Sequence, residues 1–172
     1  MKTIPQALFY AALLLPLITF FSCVSVPPAD PPAANLFACQ NEPIFSDVEG
    51  KEWLLFEIRR SGEVVRIDRQ ALDAYGFGVI YTITFEDGSV SGMGAPNRFF
   101  GPFTVDSDKS LSIGLLAHTM MLALFEPDGL NEHEYFTYLS RVTRWNVREG
   151  KLELYTSGDD GSETVFVFAL DS

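Results

Sequence analysis

Residues 80–103, IYTITFEDGSVSGMGAPNRFFGPF, decide how this chain folds. Val79, Tyr81, Ile83 and Phe85 alternate with Ile80, Thr82 and Thr84, a period of two that assigns one set to a core face and predicts a strand. Glu86-Asp87-Gly88 then turns the chain. Asp-Gly tolerates the positive φ angles of short hairpin turns, so the segment 89–93 is expected to return antiparallel to the first strand. Gly92, Gly94, Pro96 and Gly101 mark a tight glycine-rich elbow as the hairpin exits.

Working outward, the segment 53–58 (WLLFEI) reads as a strand with Leu54, Phe56 and Ile58 as its apolar face. The segment 63–67 is a second strand, and Asp68 is placed to cap a short helix running through Tyr75 to the Gly76 stop. On the other side of the elbow, 111–116 is a further strand. A helix is predicted over 132–141: Asn131 can accept from first-turn amides, Glu134 stands three residues on as in a capping box, and Leu130 and Tyr135 have staple spacing. Phe136, Leu139 and Val142 would face the core. Three short strands close the chain, over 142–147, 151–156 and 164–170, joined by Glu149-Gly150 and by the polar turn 158–161. Many short strands with turn signals between them define the fold class as mainly β (α+β): a curved antiparallel sheet or partly open β-barrel with one helix near residues 132–141.

The 172 residues leave room for one domain with a sizeable core plus a leader. Lys2, the apolar run 7–21 and Ser22-Cys23 follow the layout of a secretory leader. Cys23, directly after that run, stands where a bacterial lipoprotein carries its lipid-modified first residue, although Phe20 occupies the usual lipobox leucine position. The alternatives are an ordinary cleaved signal or a membrane helix; the run is interrupted by Pro16 and falls short of the ~20 residues that span a bilayer. Leu36-Phe37-Ala38-Cys39 is also lipobox-like, but prolines rather than an apolar segment precede it. The expected organisation is a signal peptide over 1–22, a Pro/Ala-rich tether over 23–46 that stays extended and semi-rigid, and a domain over 47–172. Two cysteines, one of them acylated, do not make a disulfide framework.

Asp and Glu number 23 against 12 Lys and Arg, a net charge of −11. A chain so acidic lacks the clustered cations that a phosphate backbone requires, which excludes nucleic acid as the expected partner.

The order of motifs resembles the META-domain (HslJ-like) family over most of the mature chain. The resemblance is carried by Trp53-Leu54; by Ile83-Thr84-Phe85 with Asp87-Gly88 and Ser91-Gly92; by Asn97-Arg98-Phe99 with Gly101 and Phe103; by Leu111-Ser112-Ile113 and Thr119-Met120-Met121; and by Glu134-Tyr135-Phe136, Leu139 and Leu152-Glu153-Leu154. Cysteines usual in the family near the Asn-Arg-Phe and Thr-Arg-Met segments are replaced here by Pro96 and Ala123, and Met120 stands for the familiar arginine. No thiol chemistry carries over. The resemblance implies a small envelope protein, loosely linked to envelope stress, antibiotic tolerance and secretion, without established catalysis.

Candidate catalytic constellations are weak. His118 and His133 lack metal-ligand spacing, and His133-Glu134 has no second histidine four residues on. No Ser sits in a Gly-x-Ser-x-Gly elbow, and Gly158-Asp159-Asp160-Gly161 offers two carboxylates where calcium wants six to eight oxygens. Convergence of any two of Glu126, Asp128, His118 and His133 within hydrogen-bond reach in a cleft would be the mark of an enzyme. Asn97, Arg98, Phe99 and Phe100 form the candidate interaction surface. Either Arg98 and an outward Phe meet a partner, or Asn97 ties backbone groups, Gly101 supplies a positive φ and the aromatics fill the core. The Thr119-Met120-Met121-Leu122 run is read the same way, with the core favoured. The expected function is that of a non-enzymatic, lipid-anchored cell-envelope protein with a structural or protein-interaction role, without metal or cofactor; the alternative is a small-ligand-binding barrel with its mouth near residues 97–103. Val24, with no Asp after the cysteine, favours the outer membrane. Metabolic labelling with a fatty-acid probe checks the anchor: the label is expected on the native chain and lost in Cys23→Ala.

Overall fold

A computed structural model of the chain describes residues 42–122, 129–158 and 160–171. Cys23, Cys39, the leader and most of the tether lie outside the described residues, as do Ala123, Glu126, Asp128 and Asp159. The strands are β1 (Glu52–Arg60), β2 (Glu63–Arg66), β3 (Thr82–Glu86), β4 (Ser89–Met93), β5 (Arg98–Val105), β6 (Leu111–Ile113), β7 (Ala117–His118), β8 (Arg144–Arg148), β9 (Lys151–Ser157) and β10 (Glu163–Leu170). Two helices accompany them, α1 (Arg69–Ala74) and α2 (Glu132–Ser140), with a 3-10 turn at Phe45–Asp47.

All the strand pairs are antiparallel, in the order β6-β5-β4-β3-β1-β10-β9-β8, with β2 added to β1 and β7 to β5. The sheet curls into a nearly closed barrel with one seam between β6 and β8. Across that seam Ser110 bridges Arg144, and Leu111 N donates to Thr143 O and Trp145 N to Lys109 O, each at 3.0 Å. The hairpin turn follows expectation, with Asp87 at φ 49° and Gly88 at φ 73°.

The alternation over 79–85 needs correction at its start. β3 begins at Thr82, because Tyr81 adopts φ 53° and breaks the pleat. Val79 is consequently exposed while Ile80 and Tyr81 both turn inward. The apolar face assigned to β1 is also corrected at Leu54 and Phe56, while Ile58 is buried as expected. Trp53 and Leu55 point into the core, and a bulge between Leu55 and Glu57 then shifts the parity so that Ile58 joins them. A single extra residue exchanges the faces of a strand, and nothing in the local pattern announces it. The strand expected over 111–116 stops at Ile113, with Leu115 in solvent.

Both ends of the barrel are filled by aromatics. Near the β3–β4 turn, Phe45 packs on Phe85, Phe103 and Trp145 at 5.4, 5.4 and 5.0 Å between ring centroids. At the other end of β3, α2 lays Tyr135 against Tyr81, Phe99 and Phe166 at 5.0, 6.0 and 5.8 Å. Asn131 caps α2 by accepting from Glu134 N at 2.8 Å. The Glu134 carboxylate pairs with Arg60 at 2.9 Å. Tyr135 and Leu139 are fully buried, with Leu130 beneath the helix start, so the helix serves as the plug of that mouth.

On the outer face, Glu57 of β1, Val167 of β10 and Glu153 of β9 stand in one cross-strand row. Arg59 donates from Nε to Glu57 at 2.6 Å and from Nη1 to Glu153 at 2.9 Å, and the Tyr155 hydroxyl donates to Glu153 at 2.7 Å. The Arg59 hydrogen bond holds the Glu57 carboxyl below its ordinary value of 4.5. A folded-state value below the unfolded one gives stability that is complete above the unfolded value and is lost as pH falls through the folded one. Glu57→Gln should therefore flatten the acid limb of the unfolding free energy below about pH 4.5, measured by urea denaturation across pH, while the native chain loses stability there more steeply.

Candidate functional site

The elbow after the hairpin is built around Asn97, which is 4% exposed. Gly94 makes room for Asn97's partner Glu132. A Cβ on Gly94 would stand 2.5 Å from Glu132 Oε1 and 2.8 Å from the Phe136 ring, so only a glycine lets the start of α2 approach this close. Gly94 N in turn donates to Asn97 O at 2.6 Å.

Every hydrogen-bonding position of the Asn97 amide is engaged. Its Nδ2 donates to Glu132 Oε2 at 2.6 Å and to Met121 O at 3.0 Å. Its Oδ1 accepts from Thr119 Oγ1 at 2.8 Å and from Met121 N at 2.6 Å. The Asn97 backbone N–H donates to Glu132 Oε1 at 2.5 Å. One side chain thus ties β5, the 119–121 loop and the first turn of α2 together.

From Asn97 the chain runs directly into β5. Residues 98–105 are a strand with strictly alternating burial, where the sequence suggested an elbow through Phe103. Phe99 and Phe103 point inward, 2% and 7% exposed, whereas Phe100 is 62% exposed. Gly101 lies within the strand without a positive φ; its role is spatial, since a Cβ there would meet Leu115 O at 2.8 Å. Arg98 is exposed, and its guanidinium has no hydrogen bond or ion pair among the described residues. The four candidate residues therefore divide: Asn97 and Phe99 hold the scaffold, and Arg98 and Phe100 face outward.

Arg98 and Phe100 share an open groove of about 450 Å³ with Val79, which precedes β3, and with Glu52, Thr84 and Ser91 of β1, β3 and β4. Register explains the grouping, because Glu52, Thr84, Ser91 and Phe100 form one outward cross-strand row. The groove presents a cation, the Glu52 carboxylate and an aromatic edge over a floor of hydroxyls. A ligand inside the barrel near residues 97–103 would have to displace Phe99 and Phe103, which occupy that space.

His118 and His133 both line a second groove, of about 440 Å³, between the 115–118 segment and α2. The His118 ring stacks on Phe136 at 4.9 Å, and its Nδ1 lies 2.8 Å from Thr119 O. Among the described residues no group of three His, Cys, Asp or Glu side chains could hold a metal ion. Beside Asp159, which lies outside the described residues, Gly158 N donates to Ser162 O at 2.8 Å and Asp160 accepts from Ser162 N. Met120, Met121 and Leu122 are exposed, contrary to the core placement favoured from sequence: Asn97 claims the loop's main chain and turns its side chains out. Sequence reasoning missed Glu132 as the partner of Asn97, and missed the Glu57-Arg59-Glu153 cluster. Both pairings span distances in the chain that only register and helix docking determine.

The model of the META domain family matches residues 46–169. No curated protein matches the chain. Among solved structures, the fold is similar to that of a protein from Burkholderia xenovorans determined by NMR, at 20% identity and a TM-score of 0.53, covering 84% of this chain and 99% of that one. It is also similar to a crystal structure of a duf4847 family protein from Bacteroides vulgatus, at 15% identity and a TM-score of 0.50, covering 75% and 98%. At such identities the likeness is one of fold.

Asn97→Ala should lower the unfolding free energy by roughly 2 kcal/mol, since it removes the four hydrogen bonds of a buried amide and leaves Glu132 only the backbone N–H of residue 97. Chemical denaturation measures the loss.

Proposed function

The chain belongs to the META-domain family, and from that premise we propose that it is a non-enzymatic interaction module of the cell envelope, held to the outer membrane by a lipid on Cys23. Its recognition surface is the outward side of β5, where Arg98 and Phe100 meet a protein partner bearing an acidic group.

The observation that carries this reading is the contrast within one strand. Alternate residues of β5 are locked into the core, while Phe100 spends 62% of its area on water and the Arg98 guanidinium is left without a partner among the described residues. An exposed aromatic beside an unpaired Arg is the composition from which interface anchors are drawn. A carboxylate would gain a charge-assisted, two-pronged partner in Arg98. The non-enzymatic part of the reading is supported by how the carboxylates are employed: Glu132 serves Asn97, and Glu57 and Glu153 serve Arg59. Anchoring is supported by the leader layout and by the Pro/Ala-rich segment over 23–46 that would hold the domain off the surface.

The test is an affinity capture from envelope extract with the native chain, Arg98→Ala and Phe100→Ala in parallel. Both side chains are exposed, so thermal melting should be unchanged. A protein captured by the native chain and lost with either variant supports the reading; absence of specific capture, or capture indifferent to both changes, overturns it.

A further inference from the structure

We infer that the loop over 115–122 seats on the surface of a phospholipid bilayer and so orients the domain on the membrane. The inference rests on the reading that the chain is tethered there.

Its first support is an exposure that the fold enforces. Leu115, Met120 and Leu122 are 91%, 93% and 83% exposed, and Met121 is 62% exposed. This is not a loose end of chain. Thr119 N donates to Arg98 O at 3.0 Å, Arg98 N donates to Thr119 Oγ1 at 3.1 Å, and the Asn97 amide grips both the N–H and the carbonyl of Met121. A buried polar network thus holds the loop's main chain in a shape that displays apolar side chains. Exposed apolar groups of this kind signal a surface that is covered in use.

Charge selects the occupant. The chain carries 23 carboxylates, yet the segments 88–105 and 110–122, which build β4, β5, β6, β7 and this loop, contain none. Their one full charge is a cation, Arg98. An anionic lipid surface repels carboxylates and attracts Lys and Arg within a Debye length. The carboxylates that border these segments are Glu52, across the groove from Arg98, and Glu132, which is held by Asn97, so residues 115–122 themselves present no like charge to such a surface.

Shape favours lipid over a folded protein. The side chains of Leu115, Met120 and Leu122 project almost fully into solvent. A protein partner would have to supply a matched pocket for each, whereas the boundary of headgroups and acyl chains is fluid and accepts Leu and flexible Met in whatever arrangement the loop offers. A tether also raises the effective concentration of the loop at the membrane, so shallow insertion is sufficient.

The test uses the full chain in a two-membrane bacterium whose phospholipids carry radioactive phosphate. A photoreactive benzoyl-phenylalanine is placed at Met120, at Leu122 or at Glu86; Glu86 is exposed and lies at the hairpin turn, at the far end of β4 from Asn97. Irradiation should join labelled phospholipid to the chain from positions 120 and 122 and not from 86. Lipid coupling absent at 120 and 122, equal coupling at 86, or coupling of the loop to a polypeptide instead would each overturn the inference. Fractionation of the same cells separates the two readings: a chain found in the envelope without lipid adducts defeats the loop inference alone, and a chain found free of the envelope defeats both.

Discussion

The carboxamide of Asn97 is the constraint on which this end of the molecule depends. An asparagine amide offers two donors and one carbonyl acceptor, and here all are taken by two separated parts of the chain: Glu132 on α2, and the 119–121 loop through Thr119 and the main chain of Met121. In a buried setting such a network is strong when complete and costly when any member is lost. The position of α2 over the barrel mouth, the run of β5 and the path of the 119–121 loop are consequently settled together.

That arrangement has consequences for packing. With Glu132 bound to Asn97 and Gly94 offering no Cβ, α2 approaches the sheet closely enough for Tyr135 to reach Tyr81, Phe99 and Phe166. The Tyr135 hydroxyl donates to Thr82 O at 3.1 Å and that of Tyr81 to Leu130 O at 2.8 Å, so the buried polar tips of both rings are satisfied. Burial pushes the Tyr135 hydroxyl well above its ordinary pKa, and it remains a neutral donor. The barrel interior is therefore a packed core, and what the domain offers to other molecules lies on its outside: the groove beside Arg98 and Phe100, and the apolar loop next to it.

The outer surface is divided electrostatically. Around β1, β9 and β10 the carboxylates are matched by Arg59, Arg66 and Tyr155 within one shared network. Around β4 and β5 carboxylates are missing from the sequence, and Arg98 is left without a partner among the described residues. In a chain of net charge −11, strands β4 and β5 contribute no carboxylate of their own and Glu52 of β1 is the one that borders their outward row, so this side is the less repelled by an anionic surface or an acidic partner.

Much of the architecture was legible in the sequence, because its signals are local. Asp87-Gly88 carries its own turn chemistry, Asn131 caps a helix through atoms three residues away, and Glu149-Gly150 turns the chain between β8 and β9 with positive φ at both residues. The family, too, could be seen in the order of short motifs. Other features were decided only in three dimensions. The bulge after Leu55 lets Ile58 reach the same core as Trp53 and Leu55, so that Leu54 and Phe56 do not share the face of Ile58 as the alternation implied. Tyr81 left the strand pattern because the chain turns there toward Leu130. Arg98 and Phe100 became surface and Asn97 and Phe99 scaffold through the parity of β5, and Met120 to Leu122 were turned outward by hydrogen bonds to a residue more than twenty positions earlier. Local propensity and period depend on neighbours in the chain, whereas register, bulges and long-range polar pairing depend on which strands meet, and that is settled only when the barrel closes.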